Sequence, residues 1–202
     1  MIDKLDLTKA DPAYYMAKQQ PAIVEFGRAP YLMLDGHGAL AGAAFTQKTE
    51  ALYQLAYGIK SVCKAQGSDF VVPKLEGLWW VEGERDAMNV PRDEWRWRLL
   101  IRMPDFVSQE IFATAQRATA ASKHNERIHQ IVFNHMAEGQ CVQFLHVGPY
   151  ATEPATVAKL LTFAQQHGLE PHGRHHEIYL SDPRKTAPER MKTLLRYPMR
   201  PC

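Results

Sequence analysis

Cysteine is scarce in this chain: Cys63, Cys141 and Cys202 are odd in number and scattered through 202 residues. They form no disulfide framework and no CxxC metal pair, which points to a reducing compartment. An excess of one charge is lacking too. Lys and Arg number 24 against 22 Asp and Glu, a net charge of +2. That balance gives no electrostatic argument for nucleic acid or an anionic membrane. No apolar run is long enough to span a bilayer, and the N-terminus has no apolar stretch of signal-peptide length. No helix-turn-helix fits before the first strand signal. There is no GxGxxG after a strand, no P-loop, no HxH or HExxH pair and no GxSxG elbow. The expectation is a cytoplasmic protein with no cofactor, no metal, no membrane association and no direct nucleic-acid contact. The sequence leaves the oligomeric state open.

What is present is an ordinary globular composition, 46% apolar and 23% charged, enough to bury a core without staples. The length permits one large domain or two fused halves of about 100 residues. Residues 1–20 read as a loose lead-in or a short helix. Strand signals follow at Ala22–Phe26 and Tyr31–Asp35, and Gly36-His37-Gly38 breaks the run. A helix is expected from about Phe45 to Gln66. Leu52, Ala56, Ile59 and Cys63 form its buried stripe, Tyr53 and Tyr57 lie beside it, and Gly67 stops it. Two strands come next, over Phe70–Val81 and Trp95–Met103. In the second, Trp95, Trp97, Leu99, Ile101 and Met103 face a core while Arg96, Arg98 and Arg102 face water. Between them, Glu82–Glu94 reads as an exposed charged loop.

From Ser108 to about Met136 the periodicity is helical. Two helices are expected, the second carrying Ile128, Val132 and Met136 and stopped by Gly139. A strand over Cys141–Val147 breaks at Gly148-Pro149. A helix from Glu153 to His167 then buries Val157, Leu160, Leu161 and Ala164. The strand His176–Leu180, a short helix over Glu189–Arg196 and an edge strand at Tyr197–Met199 complete the chain. The order strand, glycine turn, helix, glycine stop, strand, strand thus occurs twice. It predicts an α+β fold of tandem βαββ units in one domain over 1–202. The units span about 22–107 and 139–201, joined by helices over 108–138. A ferredoxin-like single sheet is the alternative. Ligand sites favour seams between such units.

The segment His175-His176-Glu177-Ile178-Tyr179-Leu180 sets one carboxylate among apolar neighbours. Glu177 and Tyr179 share one strand face, Ile178 and Leu180 the other. An unpaired buried carboxylate is costly, so Glu177 has a partner, a task, or a solvated surface position. Trp79 and Trp80 face opposite sides of their strand, so either one reaches a ligand while the other packs in a core, or both are structural. Glu76 shares a face with Leu78 and Trp80, as a second ligand-facing carboxylate or a solvated residue. Tyr150 follows a turn, where function commonly sits, or caps the next helix. Glu153 is explained by the helix dipole alone. His146, at a strand end, is a site residue or a satisfied core histidine. His175 and His176 point to opposite faces and do not share an ion. Cys63 lies on a buried stripe, which argues against a nucleophile.

Three long strings, Leu75-Glu76-Gly77-Leu78-Trp79-Trp80, Val142-Gln143-Phe144-Leu145-His146-Val147-Gly148-Pro149-Tyr150 and His175-His176-Glu177-Ile178-Tyr179-Leu180-Ser181-Asp182, resemble the GyrI-like small-molecule-binding family. The likeness spans about Ala22 to Pro201 and is closest to the stand-alone branch that lacks a DNA-binding domain. It implies SHS2-type βαββ units with pseudo-two-fold symmetry around a central ligand cleft, and Glu177 in that cleft among aromatic rings. Some members are drug-sensing halves of transcription regulators, and one inhibits DNA gyrase. Others resemble cyclopropanoid cyclopropyl hydrolases, which open strained rings of DNA-alkylating natural products. The expected function is binding of hydrophobic, aromatic or cationic small molecules, xenobiotics or natural products. Glu177, Tyr179, Tyr150, Trp79 and Trp80 would contact the ligand, with Glu76, His146 and Tyr53 beside them. The alternative is a cofactor-independent hydrolase with Glu177 as general base and Tyr179 or Tyr150 as donor to the oxygen that gains charge. A protein-interaction module such as a gyrase inhibitor is the third reading.

Overall fold

The chain runs β1 (Ala22–His37), α1 (Ala43–Ala65), β2 (Leu75–Trp80), β3 (Arg96–Arg102), α2 (Gln109–Lys123), β4 (Val132–Val147), α3 (Glu153–Gln166), β5 (His175–Tyr179) and β6 (Lys192–Pro201). This is a mixed α+β fold, seen in a computed structural model that describes residues 4–40, 42–83 and 90–202. The middle of the charged loop expected over Glu82–Glu94, residues 84–89, lies outside the described residues. Two units emerge. One takes the N-terminal segment through Ala10 and residues 29–136, the other residues 11–28 and 137–202.

In the first unit β3 is the central strand. It pairs antiparallel with β1, Tyr31–His37 against Arg96–Arg102, and with β2, Leu75–Trp80 against Arg96–Ile101. Trp97, Leu99 and Ile101 are fully buried, as their alternation requires. The opposite face is not the open one expected: Leu100 on it is fully buried too, and its arginines are half-buried. Arg98 forks onto the Asp35 carboxylate across the β1–β3 pair. On α1, Leu52, Ala56, Ile59 and Cys63 are buried as the stripe predicts. The helix ends where Gly67 takes φ +89°, a left-handed value glycine adopts without penalty.

The second helix expected before Met136 does not form. Ser108 caps α2 by accepting the Ile111 N–H, and His124 ends it at φ +49°. A 3-10 turn over Glu126–Gln130 follows. The Gln116 side chain holds that turn by donating to the carbonyls of Ile128 and Ile131. Ile128 is buried from the turn, while Val132 and Met136 already belong to β4. The apolar spacing is satisfied without helix because Val132 and Phe133 favour extended backbone. Gly139 sits inside β4 at φ +66° rather than stopping a helix. Residues 108–138 thus hold one helix, a turn and the start of a strand.

In the second unit β6 is central. It pairs antiparallel with β4, Lys192–Pro198 against Cys141–Val147, and with β5, Thr193–Arg196 against His176–Tyr179. A short strand over Leu169–Pro171 adds to its end. Two expectations fail here. The helix over Glu189–Arg196 is only a 3-10 turn at Pro188–Arg190, and Tyr197–Met199 belong to a ten-residue strand rather than a short edge. With partners on both sides, Thr193, Leu194, Leu195 and Arg196 are all buried, so no one-sided pattern survives in the sequence. α3 lays Leu160 and Ala164 on Val142, Phe144, Leu195 and Met199. The lead-in is partly ordered by this unit: Pro12–Tyr15 form a helical turn whose Tyr14 and Tyr15 are buried.

Candidate functional site

Register decides which side chains of β5 meet. His176 opposes Arg196 and Glu177 opposes Leu195, and opposed residues share a face. His175, Glu177 and Tyr179 therefore lie on the α3 face with Leu195 and Tyr197, while His176, Ile178 and Arg196 lie beneath. Glu177 is 8% exposed. Its Oε1 is 3.2 Å from Nε2 of His175. The His175 ring lies 4.6 Å from the Tyr197 ring. Tyr150, in the 3-10 turn Tyr150–Thr152 that opens α3, meets Tyr179 edge-on at 6.1 Å.

Charge around these rings is negative. Burial pushes the Tyr150 hydroxyl up to about 12, helped by Glu153, Glu177 and Asp182. Burial, with Glu177 beside it, pushes Tyr197 up to about 12 as well. Both phenols keep their protons at neutral pH. Hydrogen bonds from the Arg184 side chain and backbone hold Asp182 down to about 2. Three carboxylates and three tyrosines are gathered here.

The turn that presents Tyr150 is held from below. Gly148 adopts φ +140°, and its N–H donates to the Met191 carbonyl. His146 is 4% exposed. Its Nδ1 is 2.8 Å from Thr156 Oγ1, and its Nε2 is 3.3 Å from both the Pro149 carbonyl and Thr152 Oγ1. Both ring nitrogens therefore face protein partners. Under the β5 sheet, Glu138 accepts from His176 Nδ1 at 2.8 Å and from Arg196 Nη1 at 2.7 Å. Arg196 also donates to the Tyr14 carbonyl and to Gln143, with its guanidinium over the Tyr14 and Phe26 rings.

The remaining predicted residues lie in the first unit. Trp79 opposes Trp97 across β2 and β3, stacks on Phe45 of α1 at 6.0 Å and meets Trp95 edge-on at 6.2 Å. It is 5% exposed, whereas Trp80 on the other face is half-buried. Glu76 is fully buried, which removes the solvated alternative. It faces away from Trp79, on the side of Leu78 and Trp80. Tyr53 is half-buried on α1. A cavity of about 310 Å³ lined by Arg117, His124, Glu126 and His129 contains none of the predicted residues. Among the described residues no cluster of three or more His, Cys, Asp or Glu could hold a metal ion.

Sequence reasoning missed His175 and Tyr197 as neighbours of Glu177. The first was within reach, since a residue two before Glu177 on a strand must share its face. The second was hidden by the misassigned helix over 189–196.

The chain belongs to the GyrI-like small-molecule-binding family, whose model matches residues 19–200. It is similar to an uncharacterized conserved protein from Listeria innocua, 39% identical with a TM-score of 0.91, over 98% of this chain and 100% of that one. Two proteins described as hydrolases from Listeria innocua are 38% and 36% identical, with TM-scores of 0.89 and 0.86. Each is likewise covered over 98% of this chain and 100% of its own. No curated protein matches the chain. Among the described residues no helix is long and apolar enough to cross a membrane.

Proposed function

We propose that the chain binds hydrophobic small molecules with a cationic centre, and that the Glu177 face of the second unit recognises them. Glu177 supplies the counter-charge, and Tyr150, Tyr179 and Tyr197 supply aromatic surface for stacking and cation–π contact. The observation that carries this reading is a nearly buried carboxylate 3.2 Å from His175 whose charge acts on the Tyr150 and Tyr197 phenols.

A tandem repeat accounts for why one unit carries this chemistry. In both units the last strand is central: β3 lies between β1 and β2, and β6 between β4 and β5. The N–H of Gly38 donates to the Trp95 carbonyl as that of Gly148 donates to Met191. Aligned on these turns, Trp79 stands where Tyr179 stands and Gly77 where Glu177 stands. The first unit carries no carboxylate at that position, and Trp97 stands where Thr193 stands in the second. Trp79, Trp80, Glu76 and Tyr53 are then framework of their own unit, and His146 is the support of the Tyr150 turn.

Calorimetric titration with tetraphenylphosphonium tests the binding reading. Glu177→Gln keeps shape and removes charge, and is expected to weaken binding at least about tenfold, or about 1.4 kcal/mol. Equal affinity of parent and variant would overturn the role of the carboxylate.

A hydrolase is the second reading, favoured by two relatives of that description at 38% and 36% identity over 98% of the chain. Glu177 would take a proton from water while Tyr150 or Tyr179 donates to the oxygen that gains charge. Incubation with a cyclopropane-bearing alkylating natural product, followed by mass spectrometry, tests it. Glu177→Gln is expected to lose about 10²–10⁴-fold in rate. Turnover by the variant at the parent rate would remove the general-base role.

A further inference from the structure

We infer that His175 is a positioning residue for Glu177 and competes, when protonated, with a cationic ligand for its carboxylate. This rests on the reading that the Glu177 face binds a cation. The two side chains are each 10% exposed and 3.2 Å apart, Nε2 to Oε1. Nε2 thus stands against one carboxylate oxygen, Oε1, and a ligand cation would meet the other.

The other ring nitrogen, Nδ1, is buried without a hydrogen-bond partner among the described residues. His146 differs, because both of its nitrogens are engaged. With the two units aligned on their glycine turns, Leu75 and Gly77 fall where His175 and Glu177 fall.

A neutral His175 leaves the Glu177 charge available to a ligand cation. A protonated His175 neutralises it and sets a second positive charge beside the first, which repels strongly away from bulk water. The groups around the pair narrow what can titrate. Tyr197 packs on His175 from β6 and Tyr150 faces Glu177 from the α3 turn; both stay protonated. Asp182, beyond β5, stays ionised. Glu153 adds its carboxylate from the start of α3. Imidazole is the side-chain class that changes charge between about pH 5 and 8.

The test measures binding of tetraphenylphosphonium, whose charge does not change with pH. Parent, Glu177→Gln and His175→Phe proteins are titrated by calorimetry. Phe keeps a ring against Tyr197 and removes both nitrogens. The parent is expected to bind about tenfold tighter at about pH 8.5 than at about pH 5.5, and His175→Phe to vary by less than about twofold. In the parent, binding near neutral pH releases protons, read from the dependence of the heat on buffer ionisation enthalpy. His175→Phe releases fewer. His175→Asn replaces the Phe variant if thermal melting shows the latter unfolded. A parent that binds tetraphenylphosphonium through Glu177 with no pH dependence, or a His175 variant that keeps the parent profile, overturns the competition and leaves the binding reading standing. No binding to the parent at any pH overturns both.

Discussion

Glu138 is a carboxylate with 4% side-chain exposure, enclosed between His176 and Arg196. Burial pushes its pKa up, but the charges and hydrogen bonds of His176 and Arg196 outweigh that and hold it at about 2, below its ordinary 4.5. At about 1.4 kcal/mol per pKa unit, that depression corresponds to about 3 kcal/mol of folding stability. The folded state binds fewer protons than the unfolded one, so the contribution is complete above the ordinary carboxylate range. It is lost as pH falls from about 4.5 toward about 2. Glu138→Gln removes the charge and leaves the Arg196 guanidinium buried against Tyr14 and Gln143. Removing one partner of a buried ion pair costs about 3–5 kcal/mol, in line with the linkage figure. Urea denaturation followed by far-ultraviolet circular dichroism, from neutral pH downward, measures both. The variant is expected to be less stable by about 3 kcal/mol at neutral pH, and the gap to narrow as the medium turns acid. A gap below about 1 kcal/mol, or one that stays constant with pH, would refute the electrostatic account of this network.

Two further perturbations probe packing. A Cβ at Gly36 would lie 2.1 Å from the Trp97 indole, so Gly36→Ala is expected to destabilise the protein by about 1–3 kcal/mol through overpacking; an unchanged thermal midpoint would contradict that contact. Burial pushes the Cys141 thiol up to about 12 and raises Cys63, whereas Cys202 is exposed. Iodoacetamide near neutral pH is expected to modify Cys202 first, and rapid labelling of Cys141, read by peptide mass spectrometry, would contradict its burial.

Much of the molecule was legible because much of it is local. The stripe Leu52, Ala56, Ile59 and Cys63 marked α1 to within two residues, since helical periodicity repeats many times over a long element. The alternation Trp95 to Met103 marked β3 for the same reason. The placing of Glu177 and Tyr179 on one face followed from the two-residue period of a strand alone. So did the opposition of Trp79 and Trp80.

The rest depended on partners far away in the chain. Ile128, Val132 and Met136 fit a helix spacing, but the ladder that claims Val132 and Met136 makes them strand. The run Met191-Lys192-Thr193-Leu194-Leu195-Arg196 is equally ambiguous, because a short apolar stretch buried on both faces has no diagnostic period. Only the antiparallel registers on β6 set Tyr197 against His175, and gather Tyr14, Glu138, His176 and Arg196 into one buried network. The sequence by itself determined which residues share a face within each element. The tertiary structure decided which faces meet, because strand pairing joins residues whose separation along the chain leaves no local trace.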